Sequence, residues 1–149
     1  MTSPMKMPGE QVVAESLEAE HQVILQALSE IQDAAETGDS KAMGMALDGL
    51  IRSCGRHFAH EEAAISRHPD VATNQHFSSH RQLIARMLRV RAAIERGNDV
   101  EAALGNCFSE LLNHLDEHDA PAYNKFTARP VEKKAVVVEI RSSGAVEEL

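Results

Sequence analysis

An imidazole and a carboxylate on the apolar stripe of one helix constrain this chain more than any other feature. His57 and Glu61 are four residues apart. On an α-helix they stand on one face, one turn from each other. Leu47, Leu50, Ile51 and Cys54 lead up to them along the same stripe. Both groups therefore point into what should be a hydrophobic core, and burying them is costly unless they are paired or bind a metal. The rest of the chain supplies partners of the same kind: His76 and His80 are four apart, His114 and Asp119 five apart, and His21 stands on a stripe of its own. Eight histidines in 149 residues are the anomaly of composition that any fold must explain.

The spacing of apolar residues predicts four helices. Val13, Leu17, His21, Ile24, Leu28 and Ile31 form one core face of a helix from about residue 10 to Thr37, with His21 in a core slot. Gly38-Asp39-Ser40 ends it and caps the next helix, which runs from about Lys41 to Arg67. Gly44, Gly49 and Gly55 weaken that second helix, and packing with close approach of a neighbour is expected to compensate. His68-Pro69-Asp70 is the next stop. The third helix, from about Val71 to Arg96, turns His76, His80, Leu83, Met87, Val90 and Ile94 inward. The fourth starts near Val100 with Leu104, Cys107, Leu111, His114 and His118 in register, and must kink or restart at Pro121. Short turns between four helices give an all-α, up-down-up-down four-helix bundle. The expected organisation is an irregular N-terminal arm over 1–9, the bundle over 10–126, and a C-terminal extension over 127–149. Ala135 to Ile140 in that extension is β-branched and strand-like.

Metal-type residues on the inward stripes of four successive helices point to a two-metal site at the centre of the bundle. Each piece has a plainer reading: a lone core histidine is more often hydrogen-bonded than metal-bound, and a single His-x-x-x-His on a helix is weak evidence. Their coincidence on four facing stripes is not explained that way. His114 and Asp119 fit least well, because five residues leave two side chains about 140° apart on a regular helix. They can straddle the stripe, or a π-type widening near Pro121 can bring them together. Imidazole and carboxylate without thiolate suit iron or manganese, with zinc also compatible.

The pattern resembles the hemerythrin-like proteins of the bacterial, HHE type. The resemblance rests on Glu20-His21-Gln22, on HFAHEE at 57–62, on His76-Phe77-Ser78-Ser79-His80, and on His114 through Asp119. It implies a non-haem centre of two iron ions (Fe2+/Fe3+) with an oxo or hydroxo bridge. The implied ligands are His21, His57, Glu61, His76, His80, His114 and Asp119, with Glu61 and Asp119 bridging. Five imidazoles, two bridging carboxylates and one bridging hydroxide leave a single open position on two six-coordinate metals, where O2 or another small diatomic or anionic ligand would enter. Also by resemblance, Ile24, Phe58, Leu111 and Leu115 should line the ligand pocket. His60 and His118 depart from the pattern. They are read either as partly exposed helix residues or as hydrogen-bond donors standing behind the ligands. Tyr123 sits behind Pro121 and receives no role.

The function implied is reversible O2 binding for sensing, storage or delivery. The rival is a di-iron enzyme, a peroxidase or oxidase acting on peroxide, NO or Fe(II). A third reading is a structural metal bundle whose C-terminal extension contacts a protein partner or a second copy. A net charge of −8 argues against a nucleic-acid surface. No apolar run reaches the roughly 18 residues of a membrane span. The N-terminal residues lack an apolar signal core, so a cytoplasmic protein is expected. Cys54 and Cys107, both on apolar stripes, are then expected as buried reduced thiols.

Overall fold

The computed structural model describes residues 8–70 and 74–127; of Pro8, His118, Ala120 and Phe126 only the backbone is described. The described residues form an all-helical bundle of α1 (Pro8–Thr37), α2 (Ser40–Ile65), α3 (Asn74–Glu95) and α4 (Glu101–His114). A π-helical turn, Leu115–Asp119, then leads into a short α5 (Ala120–Phe126). No strand occurs among the described residues. The strand-like stretch at 135–140 and the N-terminal arm up to residue 7 lie outside them.

Turn chemistry sets the up-down order. Gly38 adopts φ 71°, the left-handed conformation that a glycine enters without steric cost, and closes α1. Asp39 follows as the N-cap of α2, its Oδ1 accepting from the Ala42 N–H at 3.1 Å. Gly97, at φ 74°, does the same after α3. Each helix packs on its predecessor: α1 on α2, α2 on α3, α3 on α4. α5 comes back to α1 and closes the bundle. Pro121 falls in the first turn of α5, directly after the π turn, a place where a helix tolerates proline, and the chain stays helical through it.

The apolar interior comes in two parts. The larger cluster holds Ile24, Leu28 and Ile31 of α1, Leu47, Leu50, Cys54 and Phe58 of α2, Leu83 to Ile94 of α3, and Leu104 to Leu111 of α4, with Leu115. The smaller holds Ala14 and Leu17, Ala64 and Ile65, and Ala122 and Tyr123. Between them, on every inner face, the stripe turns polar: His21, His57 with Glu61, His76 with His80, and His114 with Asp119, all buried. Cys54 and Cys107 are free thiols in the larger cluster. Burial pushes both thiols up, Cys107 to about 11, so neither is a ready nucleophile at neutral pH.

The α2 glycines depart from expectation. A Cβ on Gly44 would meet the Arg91 guanidinium at 3.0 Å, a close approach that this glycine accommodates; Arg91 in turn holds Asp48 at 2.8 Å. A Cβ on Gly55 would meet nothing within 4 Å. Packing therefore explains Gly44 and leaves Gly55 as an unrelieved weakness. Gly55→Ala should raise stability by about 1 kcal/mol through helix propensity. Gly44→Ala should gain less, because the Arg91 side chain must shift. Urea-unfolding midpoints of the two variants against the wild type check the order.

Candidate metal centre

Each wall of the site is built by helical spacing. His57 and Glu61 face inward together from α2, and His76 and His80 from α3, because each pair is one turn apart. Asp119 needs a different device. The π turn spans the residues between His114 and Asp119, and its wider i→i+5 coil brings the fifth residue back toward the face of the first. His114 Nε2 and Asp119 Oδ1 end up 2.9 Å apart.

The structure gathers all seven of the expected ligand side chains into two groups. Glu61, His76, His80, His114 and Asp119 form one; His21, His57, Glu61 and Asp119 form the other. Within each group the potential donor atoms lie within 4.8 Å of one another, and the two carboxylates belong to both. Glu61 Oε1 faces His76 Nε2 at 2.7 Å and His80 Nε2 at 2.9 Å, while Oε2 faces His57 Nε2 at 3.3 Å. Asp119 divides in the same way: Oδ1 lies 3.1 Å from His76 Nε2, and Oδ2 lies 3.2 Å from both His21 and His57 Nε2.

The outward nitrogens explain the inward ones. His21 Nδ1 lies 3.0 Å from Glu18 Oε2, His57 Nδ1 3.1 Å from Glu20 Oε1, and His80 Nδ1 3.0 Å from Glu62 Oε2. His114 Nδ1 lies 3.3 Å from Ser79 Oγ. A carboxylate beside Nδ1 keeps the proton there, so in the neutral tautomer the Nε2 lone pair faces inward. His21 and His57 then aim two lone pairs at one place, with their Nε2 atoms 3.1 Å apart. Metal–nitrogen bonds of about 2.1 Å at right angles put neighbouring donors roughly 3 Å apart. Glu61 Oε1 and His80 Nε2 are buried and close, yet form no well-directed hydrogen bond with any group. They converge on a shared point instead of on each other. The donor set fits a cation in each group.

Electrostatics without a metal tell the same story from the other side. Burial would push Glu61 up, but the imidazoles of His57, His76 and His80 outweigh it and hold the carboxyl at about 2. Burial likewise opposes the low position of Asp119, which His114, His21, His57 and His76 hold well below the usual carboxylate range. Burial would depress His57 and His76, but Asp119 and Glu61 raise them to about 10 and about 9. His21 is raised too, burial being outweighed by Asp119 and Glu18. Protons on imidazole thus stand in for metal charge.

Phe58 stacks face to face on His80 at 4.1 Å, and Ile24, Leu111 and Leu115 are buried in the larger apolar cluster beside the layer. His60 belongs to neither group. Its side chain is 57% exposed, and its Nδ1 lies 2.7 Å from Glu20 Oε2, the other oxygen of the carboxylate that holds His57. The side chain of His118 lies outside the described residues. Sequence reasoning missed Glu18, Glu20, Glu62, Ser79 and Tyr123. Glu18 had a signal, since it stands three residues before His21 on one helix. Glu20 had none, because His57 reaches it from another helix. Tyr123 is buried and its hydroxyl donates to Glu61 Oε2. Burial and the nearby carboxylates push the phenol up.

The sequence profile of the hemerythrin HHE cation binding domain matches residues 9–125. The chain belongs to this family. No match was found among curated proteins or among solved structures. HHE membership and the paired clusters together point to a metal-binding site. Among the described residues no helix is long and apolar enough to cross a membrane.

The charge pattern gives a pH prediction. His57 and His76 have folded-state values raised above 6.5. The stability they contribute to the metal-free protein is full below about pH 6.5 and is lost as pH rises through 9 to 10. Glu61, lowered from 4.5, contributes fully above pH 4.5 and loses its share as pH falls through about 2. Metal-free protein should therefore melt highest near pH 4.5–6.5 and lower by pH 9. A metal-bound imidazole must be neutral, so metal entry at pH 7 should expel at least two protons, from His57 and His76, with His21, also raised, adding to the count. Calorimetry in buffers of differing ionisation enthalpy counts them.

Proposed function

We propose that this HHE protein holds a pair of iron ions and binds O2 reversibly, for sensing, storage or delivery. One observation carries the reading: two groups of inward donors share both of their carboxylates and are otherwise unequal, five residues against four. Shared carboxylates suit bridging of two ions, and the shorter group, with His21 and His57, leaves room for a small ligand. Imidazole and carboxylate without thiolate favour iron or manganese. When bound, a ferrous pair with its oxo or hydroxo bridge would supply the electrons that hold O2.

The chain's own residues do the rest. Glu18, Glu20 and Glu62 orient the rings of His21, His57 and His80 and keep their protons on the outward nitrogens. Ile24, Phe58, Leu111 and Leu115 exclude water and protons from the ligand side. A second reading, a di-iron enzyme acting on peroxide, NO or Fe(II), is favoured by the contact chain from exposed His60 through Glu20 to His57. Such a chain would let protons reach the site and favour turnover over storage.

Metal analysis of purified protein should find about two irons per chain, the number that two donor groups sharing bridges would hold. Iron should also raise the melting temperature through linkage. Reduction followed by air should give a visible spectrum that reverses when O2 is removed. One metal per chain would overturn the two-iron reading, and rapid oxidation with substrate turnover would favour the enzyme. Leu111→Ala, by enlarging the ligand side, should speed autoxidation and tighten azide binding. Unchanged rates would place the open position elsewhere.

A further inference from the structure

Tyr123 is the single tyrosine of the chain. It lies four residues after Asp119, so α5 delivers it to the layer one turn beyond that carboxylate. Its ring stacks on His21, with centroids 5.7 Å apart and planes at 28°. Its oxygen lies 3.3 Å from His21 Nε2 and 3.4 Å from His57 Nε2, and its hydroxyl donates to Glu61 Oε2. The phenol therefore stands at the four-residue group and touches three of its members.

Glu61 is held unevenly. Two imidazoles face Oε1, at 2.7 and 2.9 Å. On the other side His57 stands 3.3 Å from Oε2, and Tyr123 supplies the hydroxyl contact. Without the phenol Oε2 loses the hydroxyl that donates to it, and the shorter contacts left are those of Oε1 with His76 and His80. We propose that Tyr123 is the positioning residue that keeps Glu61 Oε2 turned toward His21 and His57, so that both groups share this carboxylate. The proposal rests on the two-metal reading above. It makes one short segment responsible for both bridges: Asp119 supplies one, and Tyr123 aims the other.

Tyr123→Phe keeps the ring and its burial and removes the one hydroxyl. Wild type and variant are loaded with ferrous iron without air and titrated with a chelator, and retained iron is counted. Wild type should release its two ions in one step. The variant should lose one of them at about tenfold to a hundredfold lower chelator, the scale on which partners of ligands affect metal affinity. A variant that releases both ions as the wild type does overturns the role of Tyr123 and leaves the two-metal reading standing. A wild type that never holds two ions overturns the two-metal reading, and this proposal with it. Should the variant not fold, the infrared spectrum of iron-loaded wild type carrying isotope-labelled tyrosine decides. With one tyrosine in the chain the phenol C–O band is unambiguous. A hydroxyl donating to a carboxylate is expected, and a phenol that donates to none overturns the proposal.

Discussion

Taking imidazole and carboxylate groups out of water costs several kcal/mol unless each finds a partner. In this bundle seven of them share one buried layer. Four helices must present the layer at one height, and each inward atom must meet an opposite charge or a cation. Outward nitrogens need partners as well, which is why glutamates stand behind three of the histidines. Apolar packing above and below the layer holds the helices, but it does not dictate which ring faces which carboxylate. The polar layer does, and so acts as the register of the bundle.

Backbone irregularity is concentrated where that register demands it. α1 to α3 reach the layer with ordinary helical spacing. α4 cannot, because its two contributing residues are five apart, and the helix widens to a π turn between them. Pro121 then sits where a helix tolerates proline, in the opening turn of α5. The local cost of a wider coil is offset by placing Asp119 among His21, His57, His76 and His114.

What could be read from sequence follows from what periodicity encodes. Apolar steps of three and four gave the inner face of α3 residue by residue and that of α1 from Leu17 to Ile31, while Val13 is only partly buried and Ala14 takes the core place beside it; Gly38-Asp39 gave the turn and cap between α1 and α2. The five-residue gap from His114 to Asp119 left two routes open, straddling the stripe or a wider coil, and the chain takes the second. Spacing along one helix does not say how far that helix is rotated against its neighbour. Glu20 was therefore visible as a residue and invisible as the support of His57. Tyr123 was hidden for a related reason: with a widened turn and a proline before it, its phase on the helix could not be carried over from His114. Gly55 misled in the opposite direction, since a glycine on a buried helix suggests a close neighbour and here has none.

The division of the apolar interior bears on how an ion would reach the layer. One side is closed by the long cluster running from Ile24 to Leu115 through all four main helices. The other is closed by three alanines with Leu17, Ile65 and Tyr123, at the start of α1, the end of α2 and in α5. Little apolar area is lost if that end frays, whereas parting the long cluster would expose most of the core. The bundle is thus a deep cup with a thin lid. An ion seated on its floor would join Asp119, which leads into α5, to residues of the other helices, and so rivet the lid to the cup.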